Sequence, residues 1–303
     1  MASEATSGVD QAPAVAAEPG ASGAARERRE VLRVADLRVE LPTGIRNSVL
    51  AVEEASLVLH QGERIGIVGE SGSGKSITAR AIAGLLPPSS RVRVTGSVRF
   101  EGKELLGQSA RDWNAVRAKS IGMIFQDPLS YLNPTQKVGR QLREALSMGN
   151  AADKSQENMY AMMRLAGLKD VEETAEKYPF ELSGGMRQRV LISFALARQP
   201  QIIIADEPTT ALDATVQRHV LRSLDDSVET LGSSMILISH DLAVVSALCE
   251  RVYVMFRGRI VESGTTEQIF EHPQHEYTQE LIKSVLSFTD DSPRLYVSQY
   301  GNR

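Results

Sequence analysis

Residues 32–41, Leu-Arg-Val-Ala-Asp-Leu-Arg-Val-Glu-Leu, alternate apolar and polar side chains, and predict a strand with one exposed face. Val49-Leu50-Ala51-Val52 and Ala55-Ser56-Leu57-Val58-Leu59 predict two further short strands, and residues 92–100 another. These form an antiparallel β layer on either side of a different signal. The uniformly apolar run Arg64-Ile65-Gly66-Ile67-Val68 predicts a buried strand, and residues 77–86 a helix stopped by Pro87-Pro88. Ile121-Gly122-Met123-Ile124-Phe125 predicts a second buried strand. From Val138 to about Leu196 the pattern is helical. Met159, Met162, Met163 and Leu165 recur there at helical spacing and are read as core filling. Two more buried strands are expected over 201–205 and 235–239, with a helix between them presenting Val216, Val220 and Leu224. A hairpin turning at Arg257-Gly258 follows. Strands alternating with helices imply an α/β fold with a largely parallel central sheet.

Between the 64–68 strand and its helix lie Gly69, Glu70, Ser71, Gly72, Ser73, Gly74, Lys75 and Ser76. Strand, glycine loop and helix form the context of a phosphate-binding loop. The glycines let successive N–H groups point inward, and the helix N-terminus adds partial positive charge. Lys75 reaches the outer phosphates and the Ser76 hydroxyl holds Mg²⁺ in such a loop.

The strand over 201–205 runs into Asp206 and Glu207. Neighbouring side chains at a strand tip point to different sides, so one carboxylate can serve a metal and the other an attacking water. Asp206 takes the metal in this reading, and Glu207 is the general base. Gln126 and His240 also sit at strand ends, where an amide can contact metal and water and an imidazole can donate to a γ-phosphate, although a lone Gln or His at such a position is more often structural. Ser183, Gly184 and Gly185 open a helix and form a second anion site by the same dipole logic. Two helix N-termini far apart in one domain cannot wrap one γ-phosphate; a second copy facing the first resolves this.

Composition narrows the setting. The chain has 303 residues, 42% of them hydrophobic, which suits one large domain with a subdomain. A net charge of -4 without a Lys/Arg run argues against a nucleic-acid partner. Cys249 is the single cysteine, which excludes an internal disulfide and a cysteine-ligated cluster, and points to a reducing compartment. No stretch approaches the roughly 18 apolar residues of a membrane span. Residues 1–30 are rich in Ala, Gly, Ser, Pro and Glu, and read as a disordered tail.

Taken together, the motifs resemble the ATP-binding subunit of an ABC transporter. The order and spacing match over residues 31–265. The resemblance implies a P-loop NTPase fold: a mixed RecA-like core sheet, an antiparallel β subdomain, and a helical subdomain inserted over about 127–196. It makes Gln126 the Q-loop glutamine, Leu182-Ser183-Gly184-Gly185 the signature, Asp206 and Glu207 the Walker B pair, Asp213 the D-loop aspartate and His240 the switch histidine. It implies ATP as substrate, Mg²⁺ on Ser76, Gln126 and Asp206, and Ser183, Gly184, Gly185 and Gln188 contacting ATP held by a partner.

Residues 124–128 and 132–134, the run Ser-Gly-Gly-Met-Arg-Gln-Arg from Ser183, residues 206–213, and the segment from Ile269 to Leu281 are similar to the oligopeptide, dipeptide and nickel importer ATPases. Met186 and Thr209-Thr210 resemble the D-type subunit. Expected partners are a homologous F-type ATPase, two membrane permeases and an extracytoplasmic solute-binding protein, with the chain on the cytoplasmic face of the membrane. Residues 266–303 form the tail typical of these importers. Two departures stand out. No aromatic residue precedes the phosphate loop to stack on adenine, which leaves Val49 and Ile45 as apolar candidates. The cysteine-rich extension of many D-type relatives is absent before Arg303, so no iron–sulfur cluster is expected. The alternative class is a soluble ABC ATPase acting on nucleic acid or ribosomes.

Overall fold

The structure, a computed structural model, describes residues 28–44, 47–89, 91–149, 151–210 and 212–286. Most of the expected N-terminal tail, Ile45, Ala211 and the chain from 287 lie outside the described residues.

Two long strands, β1 (Glu30–Pro42) and β2 (Ser48–His60), pair antiparallel. Here the structure corrects the expected pair of short strands: 48–60 is one strand, carried past Glu53 and Glu54 by register shifts against β1. A bulge lets a strand keep pairing where its alternation breaks. The buried strand β3 (Arg64–Val68) leads through the glycine loop into α1 (Lys75–Ile82). The helix ends four residues before the expected stop. Gly84 sits at φ +63, with Trp113 packed where its Cβ would be. Then come β4 (Arg93–Phe100), β5 (Lys103–Glu104) and α2 (Ala110–Lys119), a helix the hydrophobic pattern does not signal because none of its residues is buried. Ser109 caps it, accepting from Asp112 N–H.

The strand β6 (Ile121–Ile124) opens the inserted region, in which α3 (Val138–Met148), α4 (Gln156–Leu165), α5 (Val171–Glu176) and α6 (Gly184–Ala197) follow. Met159, Met162 and Met163 are buried in its core, as read from the sequence. Strand β7 (Ile202–Asp206), α7 (Ala214–Leu231), β8 (Ser234–Ile238), α8 (Leu242–Leu248) and the hairpin β9 (Arg251–Phe256) with β10 (Arg259–Thr265) complete the core. An arm of α9 (Thr266–Glu271) and α10 (Glu276–Leu286) closes the described chain.

The strands form one sheet in the order β5-β4-β1-β2-β10-β9-β3-β8-β7-β6. Its β9–β3–β8–β7–β6 portion is parallel, and β1, β2, β4 and β5 are antiparallel. The parallel strands are apolar on both faces because both are covered. In β7, Ile203 and Ala205 face the helical core, while Ile202 and Ile204 face a second core shared with the antiparallel layer. Helix α1 lies in that second core through Ala79, Ile82 and Ala83. The phosphate loop therefore emerges at the C-terminal edge of β3, between β9 and β8. In an open α/β sheet this edge is where ligands bind.

Candidate active site

The phosphate loop is shaped by close approach as much as by flexibility. Gly69 has φ +148, and a Cβ there would stand 2.1 Å from the Met255 carbonyl oxygen. Gly74, at φ +108, starts α1 and lies against Ala51, whose carbonyl oxygen would be 2.6 Å from an added Cβ. Both positions exclude a side chain on conformation and on space. The loop is further held by Gly258 N–H donating to the Ser73 carbonyl at 2.9 Å.

Lys75 is buried, and its Nζ donates to the carbonyls of Gly69 (2.7 Å) and Glu70 (2.8 Å). Burial lowers its pKa, opposed by the charges of Glu207, Asp206 and Glu70. Ser73 Oγ is buried without a hydrogen-bond partner among the described residues. An ammonium resting on carbonyls and an orphaned hydroxyl in a glycine loop suit an incoming phosphate oxygen.

Across the loop, Ser76 Oγ donates to Asp206 Oδ1 at 2.7 Å. Asp206 is 2% exposed, and burial raises its pKa despite that hydrogen bond and nearby Arg80 and Lys75. Its charge is under-compensated, which suits a cation held by hard oxygen donors.

Glu207 is turned away from this pair. The chain leaves β7 at φ +46, an uncommon conformation for a residue with a side chain, while Glu207 N–H donates to the Ile238 carbonyl at 2.9 Å. Its Oε2 accepts from Gln126 Nε2 (3.1 Å) and Thr210 Oγ1 (2.8 Å), and lies 3.5 Å from His240 Nδ1. The two neighbouring carboxylates thus occupy separate environments, one with the loop hydroxyl and one with a polar cluster. Gln126, read from the sequence as a metal contact, is engaged by Glu207 here and not by the Ser76–Asp206 pair. Thr210, noted in the sequence only within the D-type pattern, is a further partner of Glu207.

The signature helix α6 starts elsewhere. Ser183 caps it, accepting from Met186 N–H at 3.3 Å, and is exposed together with Gly184. Gly185 packs on Val216 of α7, with 2.5 Å between an added Cβ and Cγ1. Gln188 is 2% exposed, and its Nε2 donates to the Phe125 carbonyl at 3.5 Å, so it ties α6 to the segment carrying Gln126 and faces inward. Asp213 caps α7, accepting from Val216 N–H at 3.0 Å. Among the described residues no hydrogen bond joins 183–185 to the phosphate loop. A residue from the far end of the chain does reach that loop: Tyr277 Oη accepts from Glu70 N–H at 2.9 Å.

A glycine loop facing an Asp–Glu strand tip at the edge of a parallel sheet defines a P-loop nucleotide hydrolase. The chain belongs to the ABC transporter family, whose model matches residues 52–210. It is 44% identical over 257 residues to the oligopeptide transport ATP-binding protein OppD of Bacillus subtilis, covering 84% of this chain and 72% of that protein. It is 42% identical over 255 residues to the probable D,D-dipeptide transport ATP-binding protein DdpD of Escherichia coli, covering 84% and 77%. Among solved structures, the dimeric post-hydrolysis state of an ATP-binding cassette with ADP and Pi superposes with a TM-score of 0.68 at 26% identity, over 78% of this chain and 98% of that one. The chain is an ATP-binding subunit whose ATP hydrolysis powers transport. These relatives do not favour the nucleic-acid or ribosome alternative.

Proposed function

We propose that the chain is the D-type ATPase of an importer for peptides or related small solutes. It sits on the cytoplasmic face of the membrane with a homologous F-type ATPase, two permeases and an extracytoplasmic solute-binding protein. The separation of Asp206 from Glu207 at the tip of β7 carries the reading, because it gives the metal and the water each its own carboxylate.

The loop N–H groups and Lys75 bind the phosphates of ATP, with Lys75 leaving the Gly69 and Glu70 carbonyls for them. Ser76 and Asp206 hold Mg²⁺, which when bound neutralises charge on the phosphates. Glu207 takes a proton from the attacking water through Oε1. Thr210 and Gln126 fix the other oxygen and so aim the side chain. His240, 58% exposed beside Glu207, is free to swing toward the γ-phosphate. Ser183 and Gly184 are exposed at a helix N-terminus, and with Gly185 they close on ATP held by the partner ATPase. Gln188, buried behind them, donates to the Phe125 carbonyl and so links α6 to the segment that carries Gln126.

The test is the assembled complex in proteoliposomes. Hydrolysis by the reconstituted transporter should rise when peptide-loaded binding protein is present on the opposite side. Hydrolysis indifferent to every peptide mixture, while another solute class stimulates it, sinks the peptide assignment.

A further inference from the structure

We propose that Tyr277 is a positioning residue for the phosphate loop, and that the α9–α10 arm is a strap across the first turn of that loop. The proposal rests on reading residues 69–76 as the nucleotide site.

The Glu70 backbone is held from two sides. Its carbonyl accepts from Lys75 Nζ inside the loop, and its N–H donates to Tyr277 Oη outside it, 207 positions away in the chain. The inner contact is the one phosphates disrupt, since they compete for the ammonium. The outer contact uses neither the ammonium nor the N–H groups beyond Ser71, so it survives nucleotide binding. Tyr277 keeps the first turn in place while Lys75 changes partners.

The tyrosine is itself firmly placed. Its ring stacks on Phe256 with centroids 4.1 Å apart, and the Arg257 guanidinium lies 4.9 Å from the Phe256 ring. Arg257 and Gly258 form the hairpin tip that also holds Ser73, so one hairpin braces both the loop and its strap. The arm is docked at several points. Thr265 and Gln268 cap α9 reciprocally, and Thr266 Oγ1 donates to the Cys249 carbonyl. The Glu262 carboxylate accepts from Gln274 N–H (2.8 Å) and His275 N–H (3.0 Å). His275 Nδ1 then accepts from Tyr277 N–H at 3.1 Å, which fixes the start of α10. Ile269, Tyr277 and Ile282 are buried in the core. All of this lies beyond residue 210, where the family match ends. The physical benefit is preorganisation: a turn already held need not be ordered when ATP arrives.

Tyr277→Phe tests this, because it keeps the ring on Phe256 and removes one oxygen. Mg·ATP binding to the full chain, followed by calorimetry, should weaken roughly threefold to tenfold, the range for one lost hydrogen bond. In the assembled transporter KM for ATP should rise by a similar factor while kcat changes by less than about twofold. Amide exchange at Glu70 should quicken in the nucleotide-free protein without a general loss of protection. A merely structural tyrosine would instead lower the melting temperature and leave KM in place. Wild-type ATP affinity in Tyr277→Phe, alongside lost binding in Lys75→Ala, overturns the strap and leaves the nucleotide site standing. Failure of the wild-type chain to bind ATP overturns both.

Discussion

Gly185→Ala isolates the packing that presents the signature. Glycine within a helix is normally the weaker choice, and alanine there gains about 1 kcal/mol. Here the new methyl would stand 2.5 Å from Val216 Cγ1, whereas carbon atoms in good contact sit about 3.5–4.0 Å apart. The overlap is roughly 1 Å, and overpacking of that kind costs about 1–3 kcal/mol. The net expectation is destabilisation of up to about 2 kcal/mol in the wild-type background. In Val216→Ala the obstruction is gone, so the same substitution should stabilise by about 0.5–1 kcal/mol. The sign should reverse between the two backgrounds, with a coupling of about 1–3 kcal/mol. Urea unfolding of the four proteins measures this. Hydrolysis by the assembled transporter provides a second readout. The methyl points at α7 and not at the exposed Ser183–Gly184 edge, so activity should fall in Gly185→Ala and return in the double variant. Equal stabilisation in both backgrounds refutes the packing argument. Activity lost in both places the methyl in the partner's nucleotide site instead.

Two further substitutions probe the strand tip. Glu207→Gln keeps a side-chain oxygen for Thr210 and Gln126 but removes the base, so ATP should bind while kcat falls about 10²–10⁴-fold. Size-exclusion chromatography of the assembled variant with ATP should show accumulated closed dimer, and normal turnover contradicts the assignment. Asp206→Asn should leave the nucleotide-free chain as stable as wild type or up to about 2 kcal/mol more stable at pH 7, while abolishing the thermal shift given by Mg·ATP. The sign follows from the raised pKa: burial disfavours the ionised folded form, so stability drops as pH rises from the ordinary aspartate value through the folded one. The advantage of the asparagine should therefore shrink as pH is lowered through that window. A large destabilisation of Asp206→Asn at neutral pH contradicts the under-compensated charge.

The site's chemistry was legible in the sequence to the extent that it is local. Residues 69–76 and Asp206-Glu207 are short stretches whose placement follows from consecutive backbone geometry, and they lie at the strand ends where the pattern put them. Elements whose form depends on neighbours were less legible. The end of α1 is decided by Trp113 packing on Gly84, and the continuity of β2 by its bulged pairing with β1. Gln188 reads as one more polar residue of the signature, but it faces the interior because α6 lies against the segment ending in Phe125.

The sequence by itself determined where the nucleotide site is to be sought: a glycine loop with its lysine and serine, a strand ending in two carboxylates, and a second helix N-terminus at Ser183. The tertiary structure decided which atoms meet. It sent Asp206 to Ser76 and Glu207 to Gln126, Thr210 and His240, through a left-handed backbone turn that no residue type announces. It also brought Tyr277 to Glu70. Hydrogen bonds inside a loop follow from chain order, whereas a bond spanning the whole domain exists only once the sheet, the hairpin and the arm have packed.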